Sequence, residues 1–284
     1  MDTAPYHPFL PRLVVKILIN SRLRPAALRC IGLIFKHFFL LQYRAALFPG
    51  RIPVSRADHP LDKLIPFSPH WVAVYLDFVA YWIRIAGFLL DQYGDRGVEP
   101  ARDFIESIGK LYTFAVTVYG KNLSTTDRPR YFRRLRFLLI HGFDPHLMCI
   151  PSLHVMIVIR SYTAFRAMLR SLGDEEALAG EISRIRRGAL DITEAVLYVK
   201  QHSVNCISAA MYAMTRFDPP LFPPEEAEGF VSGLFIKGEG MEAEDCRKIR
   251  EHIGELYRRF IKEGEAAAEW EKPLLDFLKG LPGV

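Results

Sequence analysis

Residues 145–159 read Pro145-His-Leu-Met-Cys-Ile-Pro151-Ser152-Leu153-His154-Val155-Met-Ile-Val-Ile159, fifteen positions without a formal charge. A proline followed by a serine is a helix-start signal, with Ser152 as N-cap and Leu153–Leu169 as the expected body. A bilayer span needs about 20 mostly apolar residues. This run falls short of that, and so does the equally long Gln201–Thr215. Any lipid-embedded helix here must therefore carry charges that snorkel, pair or face a polar interior. The mean hydropathy of +0.08 sits between a soluble protein and a chain made mainly of spans.

Working outward, the pattern predicts helices and almost nothing else. Leu13–Arg29 is basic and amphipathic, and Cys30–Leu41 is apolar apart from Lys36 and His37, as an interfacial helix leading into a short span requires. A soluble amphipathic helix is the alternative. Trp71–Leu90 is aromatic-rich and interrupted by Asp77 and Arg84, seven residues apart and so on one helix face. Arg102–Tyr119 is a further helix. Gly173–Arg187 reads as a charged connection, and Leu190–Met214 as one weakly apolar helix. The prolines of Pro219-Pro220-Leu-Phe-Pro223-Pro224 mark a boundary. Beyond it Ile249, Ile253, Leu256, Tyr257 and Phe260 recur at helical spacing, with acids at that helix's start. The division expected is residues 1–60 as basic amphipathic helices with a first membrane segment, 61–217 as a helical core, and 218–284 as a soluble helical tail.

The 284 residues carry a net charge of +5, which favours anionic surfaces. No zinc-finger spacing, RNA-binding aromatic signature or lysine tail points to nucleic acid, so an anionic membrane is the expected partner. Four scattered cysteines, Cys30, Cys149, Cys206 and Cys246, form no disulfide pattern. Met1–Leu13, with three prolines and Asp2, reads as no cleaved leader.

Three short motifs carry the chemistry. Lys121 and Arg128-Pro129 offer a mobile point charge and a planar fork to a phosphate. Pro151-Ser152-Leu153-His154 puts a histidine in the first turn of a helix, where it can protonate a leaving oxygen. Val199-Lys200-Gln201-His202 supplies a candidate nucleophile, with Lys200 two residues before it. Attack on phosphorus needs a neutral imidazole oriented through its other nitrogen. An acid at i+4 would suit that role, and the residue there is Cys206; Asp191 and Glu194 lie upstream, 11 and 8 residues before His202.

Together these residues resemble the type-2 phosphatidic acid phosphatase and vanadium haloperoxidase superfamily, whose pattern is Lys-x6-Arg-Pro, Pro-Ser-x-His, then Ser-Arg and His-x-x-x-Asp. Pro151-Ser-Leu-His-Val155, Val199-Lys-Gln-His202 and Asp62-x-x-Ile-Pro-Phe67 are closest to the branch of inositol-phosphorylceramide-synthase-like membrane enzymes. The resemblance covers about residues 60–216. It implies an all-α membrane bundle of about six helices and a mechanism without metal or other cofactor. His202 would form a phosphohistidine and His154 would protonate the leaving alkoxide. Lys121, Arg128, Ser152 and Lys200 would hold the phosphate of a lipid-like ester, at a multi-pass membrane location. The departures lie in the third motif: Ala195 and Val196 replace Ser-Arg, and Cys206 replaces the orienting Asp. Two further readings stay open, a silent relative that binds anionic headgroups and a zinc site built from His202, Cys206, Cys149 and His154.

Overall fold

The computed structural model describes residues 9–284; the first eight, on which the reading of the leader partly rests, lie outside that range. The described chain is all-α apart from one short sheet. Helix α1 (Leu10–Ile19) opens with Pro11 in its first turn, where a missing N–H costs nothing. Helix α2 (Arg24–Ile34) runs on through a π-helical turn, Phe35–Leu40, into α3 (Leu41–Leu47). Helices α4 (Val72–Tyr93) and α5 (Val98–Tyr119) form a tight antiparallel pair. Gly97 permits that turn, because a β-carbon there would meet the Leu89 carbonyl oxygen at 2.1 Å. Asp77 and Arg84 share a face of α4 as their spacing requires, in a two-pronged ion pair.

Strands β1 (Val54–Arg56) and β2 (Leu123–Thr125) pair in parallel, with Val54 opposite Leu123. The chain's last residues join them: the Arg56 amide donates to the Pro282 carbonyl at 2.8 Å, and the Val284 amide to Val54. Helix α6 (Leu135–Phe143) follows the arginine-rich loop, and α7 (Leu153–Leu172) stands at the centre, packed by α4, α5, α8 (Ala179–Tyr198) and α9 (Val204–Phe217). Val155 through Ile159 of α7 are fully buried.

Two expectations about the helices are corrected. Residues 179–187 of the charged connection already belong to α8. The single helix expected over 190–214 is two, α8 and α9, broken at residues 199–203. The break is local chemistry: Gln201 and His202 both turn their amides back to the Val196 carbonyl, at 3.0 and 3.2 Å. Lys200 takes a left-handed conformation with φ of 56°. Ser203 then caps α9, accepting from the Asn205 amide at 3.3 Å.

The segment after the prolines forms α10 (Pro224–Gly233), α11 (Ala243–Glu265) and α12 (Lys272–Lys279). Ile249, Ile253, Leu256, Tyr257 and Phe260 form the buried stripe of α11, which lies along α9. A stacked pair of histidines helps hold it there. His252 of α11 and His59 lie with ring centroids 3.9 Å apart, and His252 Nε2 is 2.9 Å from Asn205 Oδ1.

Burial, and secondarily the neighbouring ring, lowers the His252 pKa to about 4. Burial also lowers that of His59, opposed by Asp62. Protonation is thus easier in the unfolded chain, whose histidines titrate near 6.5. The pair's stabilisation is complete above that value and is lost as pH falls toward about 4. Hydrogen exchange should therefore show α11 amides losing protection across this window, while His252→Gln should flatten the dependence. Unchanged protection in the wild type would contradict the assignment.

Two segments among the described residues are long and apolar enough to cross a membrane, Arg24–Leu47 and Pro69–Tyr119. Only 22% of the most apolar window of the first is buried, while Ile34, Phe38, Leu41 and Ala45 pack partly buried against the core.

Candidate functional site

The site is assembled where three elements meet: the loop before α7, the break between α8 and α9, and the start of α3. Strand β2 fixes the first. The Cys149 amide donates to the Ser124 carbonyl and the Ile150 amide to Ser124 Oγ at 2.7 Å. The Tyr119 hydroxyl donates to the Pro151 carbonyl. The second element is held by the loop at 59–66. Asp62 accepts the Val204 amide at 2.9 Å and the His59 amide at 2.7 Å, and the Lys200 ammonium donates to the carbonyls of Asp62 and Ile65.

These restraints bring three of the expected site residues together. His202 Nε2 lies 3.3 Å from His154 Nδ1 and 3.2 Å from Ser152 Oγ. Ser152 does hold the N-cap position of α7, but its hydroxyl makes no cap hydrogen bond and turns to His202 instead. The His154 ring is packed between Tyr75 and Phe78, at centroid distances of 4.8 and 4.3 Å. Arg128 reaches the residue beside His202, donating to Gln201 Oε1 at 3.4 Å and to the Asp144 carbonyl at 2.9 Å.

The two lysines point elsewhere. Lys121 is half-exposed and ion-paired with Glu269 and Glu271 near the C-terminus, at 3.3 and 3.0 Å. Lys200 fastens the backbone at 62–65, as described above. Cys206 lies three residues beyond the α9 cap rather than on a helix shared with His202, and its sulfur accepts the Ser203 amide at 3.4 Å. Asp191 pairs with Arg187, and Glu194 accepts the Phe235 amide at 2.8 Å, so neither serves His202. No group of three or more His, Cys, Asp or Glu among the described residues is arranged to hold a metal ion.

His202 is buried, and its Nδ1 has no hydrogen bond. Burial lowers its pKa to about 4, with the Cys149 backbone acting the other way. His154 is held well below its ordinary value by burial, then by the charges of His202 and His146. Both imidazoles are therefore neutral near pH 7, the state a nucleophilic imidazole needs.

Several residues of the site carried no motif in the sequence. His146 is buried 2.8 Å from Thr126 Oγ1 through its Nε2, and its amide donates to Asp144 Oδ1 at 2.9 Å. Burial raises the pKa of the Asp144 carboxyl, opposed by the His146 amide and Arg128. Gln42, from α3, is buried and accepts the Leu147 amide at 2.9 Å. Gln42, Asp144, His146, Gln201, His154 and His202 line a cell of about 20 Å³, together with apolar groups such as Phe38 and Met148. That is room for about one water molecule. A far larger apolar chamber, about 470 Å³, adjoins the cell and shares Phe38, Tyr75, Asp144, Leu153 and His154 with it as walls. Its other walls come from the π turn, α4 and α6, including Trp82, Leu139 and Phe143.

The arrangement offers a pair of neutral imidazoles in contact, a serine hydroxyl, an arginine one residue away, and an apolar room next door. Comparison with known proteins finds no matching family model, no matching curated protein and no matching solved structure.

Proposed function

We propose that this chain is a metal-independent phosphatase or phosphotransferase acting on a lipid-like phosphate ester, in or tightly attached to a membrane. The observation that carries the reading is the contact of His202, His154 and Ser152 beside the apolar chamber. The chamber suits a hydrocarbon tail, since apolar surface removed from water contributes about 25 cal/mol per Å². His202 Nε2 attacks phosphorus, and the bond from phosphorus to the ester oxygen breaks. His154 gives that oxygen a proton, which it first gains as the substrate's negative charge raises its pKa. Water, or an acceptor alcohol, then attacks the phosphohistidine and the P–N bond breaks. A phosphoryl group needs more than the cell's present volume, so the His154 ring must part from His202 as the substrate enters.

A second reading is favoured by the third motif: a relative that binds anionic headgroups without turning them over. His202 lacks a carboxylate at Nδ1, and both lysines are engaged elsewhere. This reading predicts vesicle binding that survives loss of both histidines and weakens when Arg128, which reaches Gln201 beside His202, is neutralised.

The deciding assay is phosphate release by the purified chain with EDTA present, on phosphatidic acid and on a generic aryl phosphate, with Cys206→Asp run alongside. Turnover by the wild type supports the enzyme. Silence in the wild type with turnover in Cys206→Asp marks a lapsed enzyme on an intact scaffold. Silence in both, from folded protein, favours the binding module.

A further inference from the structure

The chamber's mouth lies between two elements whose outward faces are apolar and whose charges are all of one sign. Helix α6 and its lead expose Phe132, Leu135, Leu138, Leu139 and Phe143, each at least 45%, while Phe137 and Ile140 face inward. Across the mouth, Ile31, Phe35, Leu40, Leu47 and Phe48 of the α2–α3 ridge are exposed as well. The Tyr43 hydroxyl donates to the Phe143 carbonyl at 2.8 Å, tying ridge and helix into one face. Both line the chamber, Ile34, Phe38 and Phe39 from the ridge and Leu139, Ile140 and Phe143 from α6.

Neither element contains a single carboxylate: there is no Asp or Glu from 9 to 57, nor from 128 to 143. Arg130, Arg133, Arg134 and Arg136 are exposed, and none of them pairs with an acid among the described residues. A second copy of the chain seated here would set arginine against arginine. A partner protein would need an apolar surface of matching shape with acids around it. An anionic bilayer supplies both properties without matching: hydrocarbon for the leucines and phenylalanines, phosphate for the arginines.

We propose that α6 and the α2–α3 ridge form one docking face for an anionic lipid bilayer, with α6 lying in the headgroup region and the chamber opening into the acyl layer. The face is independent of the chemistry proposed above, and a chain without turnover would dock in the same way. Against C-terminal helix α11, whose exposed face carries both signs in i, i+4 pairs, the asymmetry sets the orientation of the molecule.

The test uses the full chain with Leu138→Cys carrying an environment-sensitive fluorophore. All four native cysteines are buried, which directs the label to position 138. A second preparation labelled through Glu251→Cys on α11 is the control for a surface that stays in water. Each is reconstituted into vesicles of phosphatidylcholine, with or without phosphatidylglycerol, some containing nitroxide-bearing lipids.

The expected result is blue-shifted emission, quenched by lipid nitroxides, at 138 but not at 251, strengthened by phosphatidylglycerol. Arg133→Ser/Arg134→Ser/Arg136→Ser should weaken the lipid-bound population of the 138 probe by about a hundredfold or more. Water-like emission at 138 in anionic vesicles would overturn the proposal. So would an equal signal in neutral lipid, or self-quenching that rises with protein concentration without lipid, which would mean that a second copy covers the face. Phosphate release from a soluble aryl phosphate, measured on the same samples, reports on the chemistry separately.

Discussion

His202→Ala is expected to abolish phosphate release, by at least about 10⁴-fold, the scale seen when a catalytic constellation loses a member. The proposed nucleophile has no substitute in the cell: of the other imidazoles lining it, His154 is assigned the proton transfer and His146 is engaged by Thr126 Oγ1 at 2.8 Å. His154→Ala should cost less, about 10²–10⁴-fold, the usual share of one proton-transfer group. A substrate with a good leaving group such as an aryl phosphate should narrow that loss, because its oxygen departs without a proton. It should leave the His202→Ala loss intact. The pH profile carries a second signature. Burial lowers the His202 pKa to about 4, so the neutral nucleophile persists through mild acid and is lost only as pH falls through that value. The acid limb of kcat/KM should then lie near 4 rather than near an ordinary histidine's 6.5. Full turnover by His202→Ala, with near-ultraviolet circular dichroism like the wild type's, would rule the mechanism out.

The second large effect is on stability. Asp218 closes the C-terminus of α9 and pairs with Arg160 of α7, a guanidinium only 13% exposed, whose Nε also donates to Ser107 on α5 at 2.9 Å. Asp218→Ala leaves that cation buried with a single neutral acceptor, and breaking such a pair from one side costs about 3–5 kcal/mol. Chemical denaturation should show the loss as a lower midpoint at an unchanged slope. Replacing both partners together, Arg160→Met with Asp218→Leu, should recover most of it, since the penalty comes from the orphaned charge rather than from the missing attraction. A double variant as unstable as the single one would place the stabilisation in the geometry of the pair instead. The site should survive in either variant, because neither residue touches the histidine cell.

Much of this was legible in the sequence, and the failures have physical causes. Helix α4 was readable because Asp77 and Arg84 fall on one face, and α7 because proline and serine announce its start. The break between α8 and α9 was not readable. Val199-Lys200-Gln201 contains neither glycine nor proline, and the left-handed Lys200 is held by carbonyls at 62 and 65, far away in sequence. Likewise, nothing local to Lys121 could reveal that its partners are acids 148 and 150 positions later. His154, His202 and Ser152, singled out by their motifs, are brought into contact by the fold. Gln42 and His146 were missed because a glutamine in an apolar run and a histidine after Asp-Pro are ordinary until the chain folds them into one cell. An inward-facing polar residue in an otherwise apolar segment was the available signal for Gln42.

The closure of β1 by the last residues has a consequence for how the protein is made. The amides of Arg56 and Val284 are satisfied by pairing residues 54–56 with residues 282–284, and α11 covers the helix that begins just after His202. During synthesis the segment with both histidines therefore leaves the ribosome well before the parts that cover it. At roughly 5–20 residues per second, the remaining chain takes several seconds to arrive. For that interval the face of α9 destined for α11 is bare, an opening for chaperones and proteases to act on nascent chains.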